Sequence, residues 1–479
     1  MVYPLSILDD GVSMAQIRVP IVSGVTTTPD GDFLTSYPVN REPVLRDTGI
    51  SEGYLRAPYG ITQATEGAGT DRGGIAWNGE AYRVQGTSLV RVNANWTVDV
   101  LGDVGAGGLC SLDYSFTDLI VGSGGRLYYW NVSDGLRQVT DSNLGTVNDL
   151  VYVDGYTMTT DGEYIVVNNL GDPFTINPLR YGSAEEDPDP NTGLGHMHGE
   201  VYVFGRFTIQ PFQNIGGTGF PFQAVKSGTV PYGCVGARAK CKYVGTYAFV
   251  GGARGSTVGV YLMGAGDADK ISSAEVDAEL AALSDEDLAA VWLESRVEAD
   301  DQRLILHLPA RSWGFSAQVS RKSQIKCWNQ YVSGTTNTGG YQGRGLTYCY
   351  GKWIVAASDG RIGYLDTGTA KHFGSYVMWQ FDTPLLYNDA NRAILTGIEL
   401  VGTPGRGSQG RVFWSYTKDG QVWSVEQATS TGSSGQTRKR PAWRPGVRFE
   451  VYMGLRFRGV DDSLAAFNRL ECDIEALGA

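Results

Sequence analysis

A short β unit punctuated by glycine turns recurs along residues 77–366, and this recurrence constrains the fold more than any other feature of the sequence. Asp134-Gly135, Asp154-Gly155, Asp161-Gly162, Asp359-Gly360 and Asp419-Gly420 border apolar runs such as Leu150-Val151-Tyr152-Val153. Asp-Gly accepts the positive φ of a two-residue hairpin turn, because glycine has no Cβ to clash. The flanking runs are rich in Val, Ile, Tyr and Trp and read as antiparallel hairpins. Units begin near Trp77, Phe116, Leu150, Gly199, Tyr243, Arg303 and Tyr348. Their spacing averages about 41 residues, inside the ~40–50-residue period of propeller blades. The expected fold is therefore all-β, a seven-bladed β-propeller, an arrangement that leaves few open strand edges.

The propeller is expected to occupy residues 71–379. Residues 1–70, rich in Thr, Pro and Gly, read as an extended N-terminal arm. From 380 to 479 strands are expected at 394–401, 411–416, 421–425, 447–457 and 466–475, enough for a separate C-terminal β-sandwich. One stretch near 268–300 reads as a helical insertion. Ser272-x-x-Glu275 resembles a capping box, and Ser284 before Asp285, Glu286 and Asp287 marks a second helix start. Val276, Leu280 and Leu283, then Leu288, Val291 and Val297, keep helical spacing.

Composition removes several classes. The chain has 479 residues, a net charge of −12 and 42% hydrophobic residues, which excludes global disorder. Its 65 glycines, about twice the usual ~7%, match the turn content of repeated hairpins. The acidic balance argues against a general nucleic-acid-binding surface. No apolar run approaches the ~18 residues of a membrane helix, so no membrane insertion is expected. Met1-Val2-Tyr3-Pro4 lacks the basic and apolar regions of a signal peptide. Cys110, Cys234, Cys241, Cys327, Cys349 and Cys472 show no C-x-x-C spacing and read as reduced, mostly buried thiols.

Motifs of catalysis and ligation are near-misses. Gly345 to Lys352 imitates a phosphate loop, but its glycines are one residue too far apart and Trp353 replaces the magnesium-binding hydroxyl. His196-x-His198 with Glu200 offers weak metal spacing. Asp187-Pro-Asp189-Pro-Asn191-Thr-Gly193 imitates a calcium loop with a displaced glycine. Asp113, Asp149 and Asp359 are the carboxylates a propeller glycosidase would need, although Asp is expected in β-turns anyway. No catalytic residue, metal or cofactor is assigned.

Charge is unevenly placed. The stretch 267–301 holds twelve acids and two bases, and 405–458 holds ten bases and three acids. The acidic side includes Asp285, Glu286 and Asp287; the basic side includes Arg438, Lys439, Arg440, Arg444 and Arg448. Opposite patches of this kind guide docking in assemblies.

Several strings, in order along the chain, resemble one family. They are Ser36-Tyr37-Pro38-Val39-Asn40, Gly53-Tyr54-Leu55-Arg56-x-x-x-Gly60-Ile61, Glu294–Ala299 with Leu304–Pro309, Phe381-x-Thr383-Pro384-Leu385, Ser415–Gly420 and Leu470–Glu475. The family is the tail-hub, or packaged-DNA stabilisation (tail accessory factor), proteins of short-tailed Salmonella-type bacteriophages. Longer loops around Asp187 and Gly432 depart from its pattern. The resemblance implies a structural, non-enzymatic virion subunit, assembled in the bacterial cytoplasm into a homo-oligomer, a hexamer. It implies a nozzle ring that closes the portal-adaptor channel, retains packaged double-stranded DNA without sequence-specific binding, and carries the tail needle and tailspikes or fibres. On that reading Asp285, Glu286 and Asp287 face the channel or a neighbouring subunit, and the basic residues dock onto an acidic neighbour. The alternative reading is a polysaccharide-acting β-propeller enzyme or a carbohydrate-binding module.

Overall fold

The computed structural model describes residues 3–4, 14–28, 30, 32–46, 53–184, 186–298, 301–387, 392–403, 410–433, 435–436 and 438–477. The chain forms two compact units, one of residues 63–309 and 342–364, the other of 1–62, 310–341 and 365–479.

In the first unit antiparallel sheets begin one after another, at Asp71–Trp77, Ser111–Tyr114, Asp149–Val153, Asn191–Met197, Gly233–Cys234 with Lys240–Tyr243, Trp292–Glu298 and Arg344–Cys349. These first strands lie one against the next, except that the fourth sheet meets the fifth through Glu200–Gly205 against Gly233–Cys234, and Arg344–Cys349 returns to Asp71–Trp77, so the sheets close a ring. Gly60–Glu66, which precedes the first sheet in the chain, is the outer strand of the last one. Each of the first four sheets has four strands, the outermost of the first two being Val98–Asp103 and Gly135–Gln138.

Strands between two neighbours bury both faces, and the period-two rule decides which residue goes where. Leu119 and Val121 pack toward the first sheet with Trp77, Tyr82 and Trp130. Ile120, between them, packs toward the third with Leu150 and Val166. Trp130 meets Tyr82 at 5.2 Å and Trp77 at 6.1 Å between ring centres. Each such side chain contributes about 1.5–3 kcal/mol on full burial.

The second unit contains a β-sandwich. One sheet centres on Tyr452–Val460, flanked by Met378–Asp382 and Gly410–Thr417; the other centres on Ala466–Ala476, flanked by Ala393–Thr403 and Met14–Val19. Their inner faces supply Phe381, Trp414, Phe457, Phe467 and Ile474 to one core. Arg41 is buried there, its guanidinium 4.3 Å above the Trp379 ring, and burial lowers its pKa to about 10.

Three expectations are corrected. Within residues 1–70, expected as an extended arm, the described strands are built into sheets instead: Met14–Val19, Glu42–Val44 and Tyr54–Arg56 join the Ala466–Ala476 sheet, and Gly60–Glu66 joins a sheet of the ring. No strand forms at 421–425, because Asp419 accepts the N–H groups of Gln421 and Val422 and Ser424 Oγ accepts that of Tyr416. These side-chain bonds hold a turn, and the strand starts later, at Gln427–Gly432. In the insertion, Ser273 rather than Ser272 caps Ala274–Ala281, while Ser272 is buried and donates to Asp277 at 2.5 Å. Val276, Leu280, Leu288 and Val291 are buried as their spacing implies, but Val297 lies exposed on the strand Trp292–Glu298.

Candidate functional site

The first strands of the ring carry charged residues whose alternation places them between sheets, where water cannot serve them. Arg83 meets Asp71 in a bidentate pair, 2.7 and 2.8 Å, and donates to the Gly345 carbonyl of the last sheet at 2.9 Å. Glu294 accepts the N–H groups of Gly345 and Leu346 at 3.1 and 3.0 Å and holds His307 Nε2 at 3.0 Å. Asp113 accepts Tyr152 N–H at 2.7 Å, and burial raises its pKa. Asp149 accepts from Ser111 Oγ, from Leu194 N–H at 2.8 Å and from Lys240 Nζ at 2.6 Å. Charge-assisted bonds of this sort link one sheet to the next.

Two of the three candidate carboxylates are therefore occupied in structural work. The third, Asp359, sits in the turn Asp359-Gly360 and forms a fork with Arg361 at 2.7 to 3.1 Å. They do not converge. The latch residues Arg83, Glu294 and Lys240 were missed in the sequence, although a charge set among the apolar residues of a strand was the available signal.

The near-miss motifs also resolve into structure. Gly345 to Lys352 is a hairpin joining Arg344–Cys349 to Lys352–Ala356. Asp187 pairs with Arg254, Asp189 accepts from Thr208, and Asn191 donates to the Glu163 carbonyl, so the imitation calcium loop has its oxygens dispersed. His198 stands in a turn at φ 53° and Glu200 accepts from Tyr202 at 2.8 Å. Among the described residues no three His, Cys, Asp or Glu side chains group as a metal site. Five cysteines are buried and Cys241 is partly so, all unpaired; burial raises the pKa of Cys110, Cys234 and Cys349.

The ring's two rims differ. The turns after first and third strands carry exposed apolar tips: Phe116 (96% exposed), Val132 (80%), Leu170, Ile215 and Val244. Turns of the other rim carry Gly124-Gly125, Asp161-Gly162, Arg254-Gly255 and Asp359-Gly360. The helical insertion belongs to that polar rim, since it joins the last strand of one sheet, Ala268–Lys270, to the first of the next. Asp285, Glu286 and Asp287 are exposed on Asp285–Ala289, with Ser284 capping Asp287 N–H. The rest of the acidic stretch is less free. Asp277 pairs with Lys270, and Glu298 with Arg296.

The basic patch is likewise partly neutralised. Arg440 meets Glu399 at 2.7 Å and Arg444 meets Asp473 at 3.0 Å. Arg438, Lys439 and Arg448 are exposed and form no ion pair with another described residue. The strings that carried the resemblance act as structural staples. Asn40, at φ 46°, donates to the carbonyls of Val332 and Met378, Arg56 forks onto Glu42, and Thr383 Oγ1 accepts Leu455 N–H.

Comparison with known proteins agrees with this architecture. A β-propeller family model described as Bacteriophage P22 Gp10 matches residues 17–370, and a β-sandwich model of the same description matches 378–475. The tail hub protein gp10 of Salmonella phage P22 is 25% identical over 485 residues, 96% of this chain and 99% of that protein. Among solved structures, the N-terminal domain of Nup159 has a TM-score of 0.40 at 8% identity, over 68% of this chain and 98% of its own. The WD40 domain of Neurospora crassa Pan2 has 0.38 at 9%, over 62% and 88%.

Proposed function

The chain belongs to the Bacteriophage P22 Gp10 family, and from that membership we propose that it is the hub subunit of a short phage tail, a structural component of the virion. The observation that carries this reading is the end-to-end match, which takes in both the propeller and the sandwich in the same order. A carboxylate pair poised for glycoside hydrolysis is what the enzyme reading needs, and Asp113, Asp149 and Asp359 are instead spent on separate bonds.

In the proposed assembly, six copies form a nozzle ring below the portal-adaptor ring, retain the packaged DNA and carry the needle and tailspikes. Repetition of one subunit about an axis requires a surface that meets its own neighbour. The exposed acids Asp285, Glu286 and Asp287 would line the channel or meet that neighbour. Like charge lets DNA slide past without adhering, since phosphate affinity comes from cations. The free cations Arg438, Lys439 and Arg448 would dock on an acidic partner.

The test is mass by light scattering, on the chain alone and with a portal-adaptor complex. A ring of about six subunits on that complex is expected. A monomer that never joins it would overturn the reading.

A further inference from the structure

One cleft in the propeller unit is assigned no task by the hub reading. It opens at the rim of apolar tips, has a volume of about 620 Å³, and its lining includes Trp77, Asn78, Asp113, Tyr114, Phe116, Tyr152 and His196. That volume lies within the ~300–1,000 Å³ of small-molecule clefts. The walls come from the ends of the first strands of four successive sheets and the turns beside them, so the latches described above hold them in place.

The chemistry of the lining is specific. Trp77, Tyr114, Phe116 and Tyr152 supply aromatic surface, and Phe116 projects almost fully into solvent beside the opening. The side chains of Asn78, Tyr114, Tyr152 and His196 make no hydrogen bond with another described residue, which leaves a carboxamide, two phenol hydroxyls and an imidazole for a ligand. Burial and the nearby Lys242 lower the pKa of His196 and keep its ring neutral. The one carboxylate, Asp113, already accepts the N–H groups of Tyr114 and Tyr152, at 2.9 and 2.7 Å.

An anionic ligand would face that buried carboxylate. A cationic ligand would find the oxygens of Asp113 spent and Lys242 close by. A flat apolar ligand would leave the open polar groups it covers without partners. A sugar fits both demands: the C–H face of its ring packs on an aromatic plane while its hydroxyls both donate and accept.

We propose that this cleft binds a neutral saccharide, with Phe116 and Tyr114 as the stacking surface and Asn78, Tyr152 and His196 as its hydrogen-bonding partners. The site is independent of the tail reading, because it is complete within one chain.

Saturation-transfer NMR on the full chain tests it, with neutral gluco-, galacto- and manno-oligosaccharides at millimolar concentration, and glucose 6-phosphate and choline as charged comparators. Transfer to ring protons of at least one neutral oligosaccharide is expected, falling severalfold in Phe116→Ser, Tyr114→Ala and His196→Ala. Phe116 is so exposed that its replacement leaves the fold intact, and circular dichroism checks all three variants. The proposal is overturned if no neutral sugar receives transfer from the wild-type chain, if a charged comparator alone does, or if folded variants keep the full signal. Loss of sugar binding would leave ring assembly untouched, so the two readings fail separately.

Discussion

Lys240 and Asp149 form an ion pair at 2.6 Å with side chains only 6% and 5% exposed, and the same carboxylate accepts from Ser111 and Leu194. One anion thereby ties four consecutive sheets. Removing the lysine leaves a buried charge without its counterion, a change that costs about 3–5 kcal/mol. Lys240→Met is expected to lower the chemical-denaturation midpoint accordingly. Asp149→Asn combined with Lys240→Met should be less damaging than the sum of the two, with a coupling of about 1–3 kcal/mol. A Lys240→Met chain within about 0.5 kcal/mol of wild type would show that the pair does not hold the sheets.

His372 gives the second unit a pH dependence. Its Nδ1 meets Ser333 Oγ at 2.8 Å, its ring packs on Tyr341, and burial lowers its pKa to about 4. The unfolded chain holds this proton below ~6.5 while the folded one does not, so stability is full above ~6.5 and falls as pH drops toward 4. The single group contributes up to about 3 kcal/mol across that window. His372→Asn, which keeps a polar group near Ser333, should flatten the difference between melts at pH 7 and pH 4.5. Parallel pH profiles for the two proteins would remove His372 from the account.

The repeat was legible because its cause is local. A turn such as Asp154-Gly155 needs a positive φ, which the structure places at 50° and 87°, and the apolar runs on either side alternate with the pleat. What could not be read depends on partners distant in sequence. Met14–Val19 pairs with Ala466–Ala476, and Gly60–Glu66 closes a sheet begun near residue 344; neither partner leaves a mark on the short N-terminal strands. The patch residues show the same limit. Composition counted Arg440 and Arg444 as free cations, while Glu399 and Asp473, outside the counted window, neutralise them.

Gly251 marks a place where backbone meets backbone. It pairs with Cys234, and a Cβ on it would come 1.7 Å from the Gly233 carbonyl oxygen. Neither atom belongs to a movable side chain, so Gly251→Ala must push two strands apart, at a cost above about 3 kcal/mol. Gly245 is the control. It has φ 81° and open space around its Cβ position, so Gly245→Ala should cost only the ~1–2 kcal/mol of a left-handed alanine. Thermal melts of the two variants compare the effects directly, and equal losses would contradict the steric argument.

The basic edge can be tested without unfolding the sandwich. Arg438, Lys439 and Arg440 are exposed, and only Arg440 has a described ionic partner. Exposed pairs contribute little to stability. Arg438→Glu, Lys439→Glu and Arg440→Glu together should shift the melting temperature by less than about 3 °C. If this edge docks on an acidic partner, the same variant should lose tail assembly, scored by negative-stain imaging of particles. Normal tails would remove the docking role.

Asp285, Glu286 and Asp287 offer the complementary test on the polar rim. They occupy the first turn of Asp285–Ala289, where negative charge suits the helix end, and Ser284 Oγ already satisfies Asp287 N–H. Leu288 anchors the segment in the core, so changing all three acids to Ala should leave folding intact, with a melting shift under about 3 °C. If these acids line a channel, losing their repulsion of phosphate should change the ejection rate most at low salt, where charges are least screened; if they meet a neighbouring subunit, ring assembly should fall instead. Light scattering of the purified chain and ejection assays across a range of salt separate the two. Particles that assemble, retain DNA and eject it at the wild-type rate would show that these acids are only a solvated face.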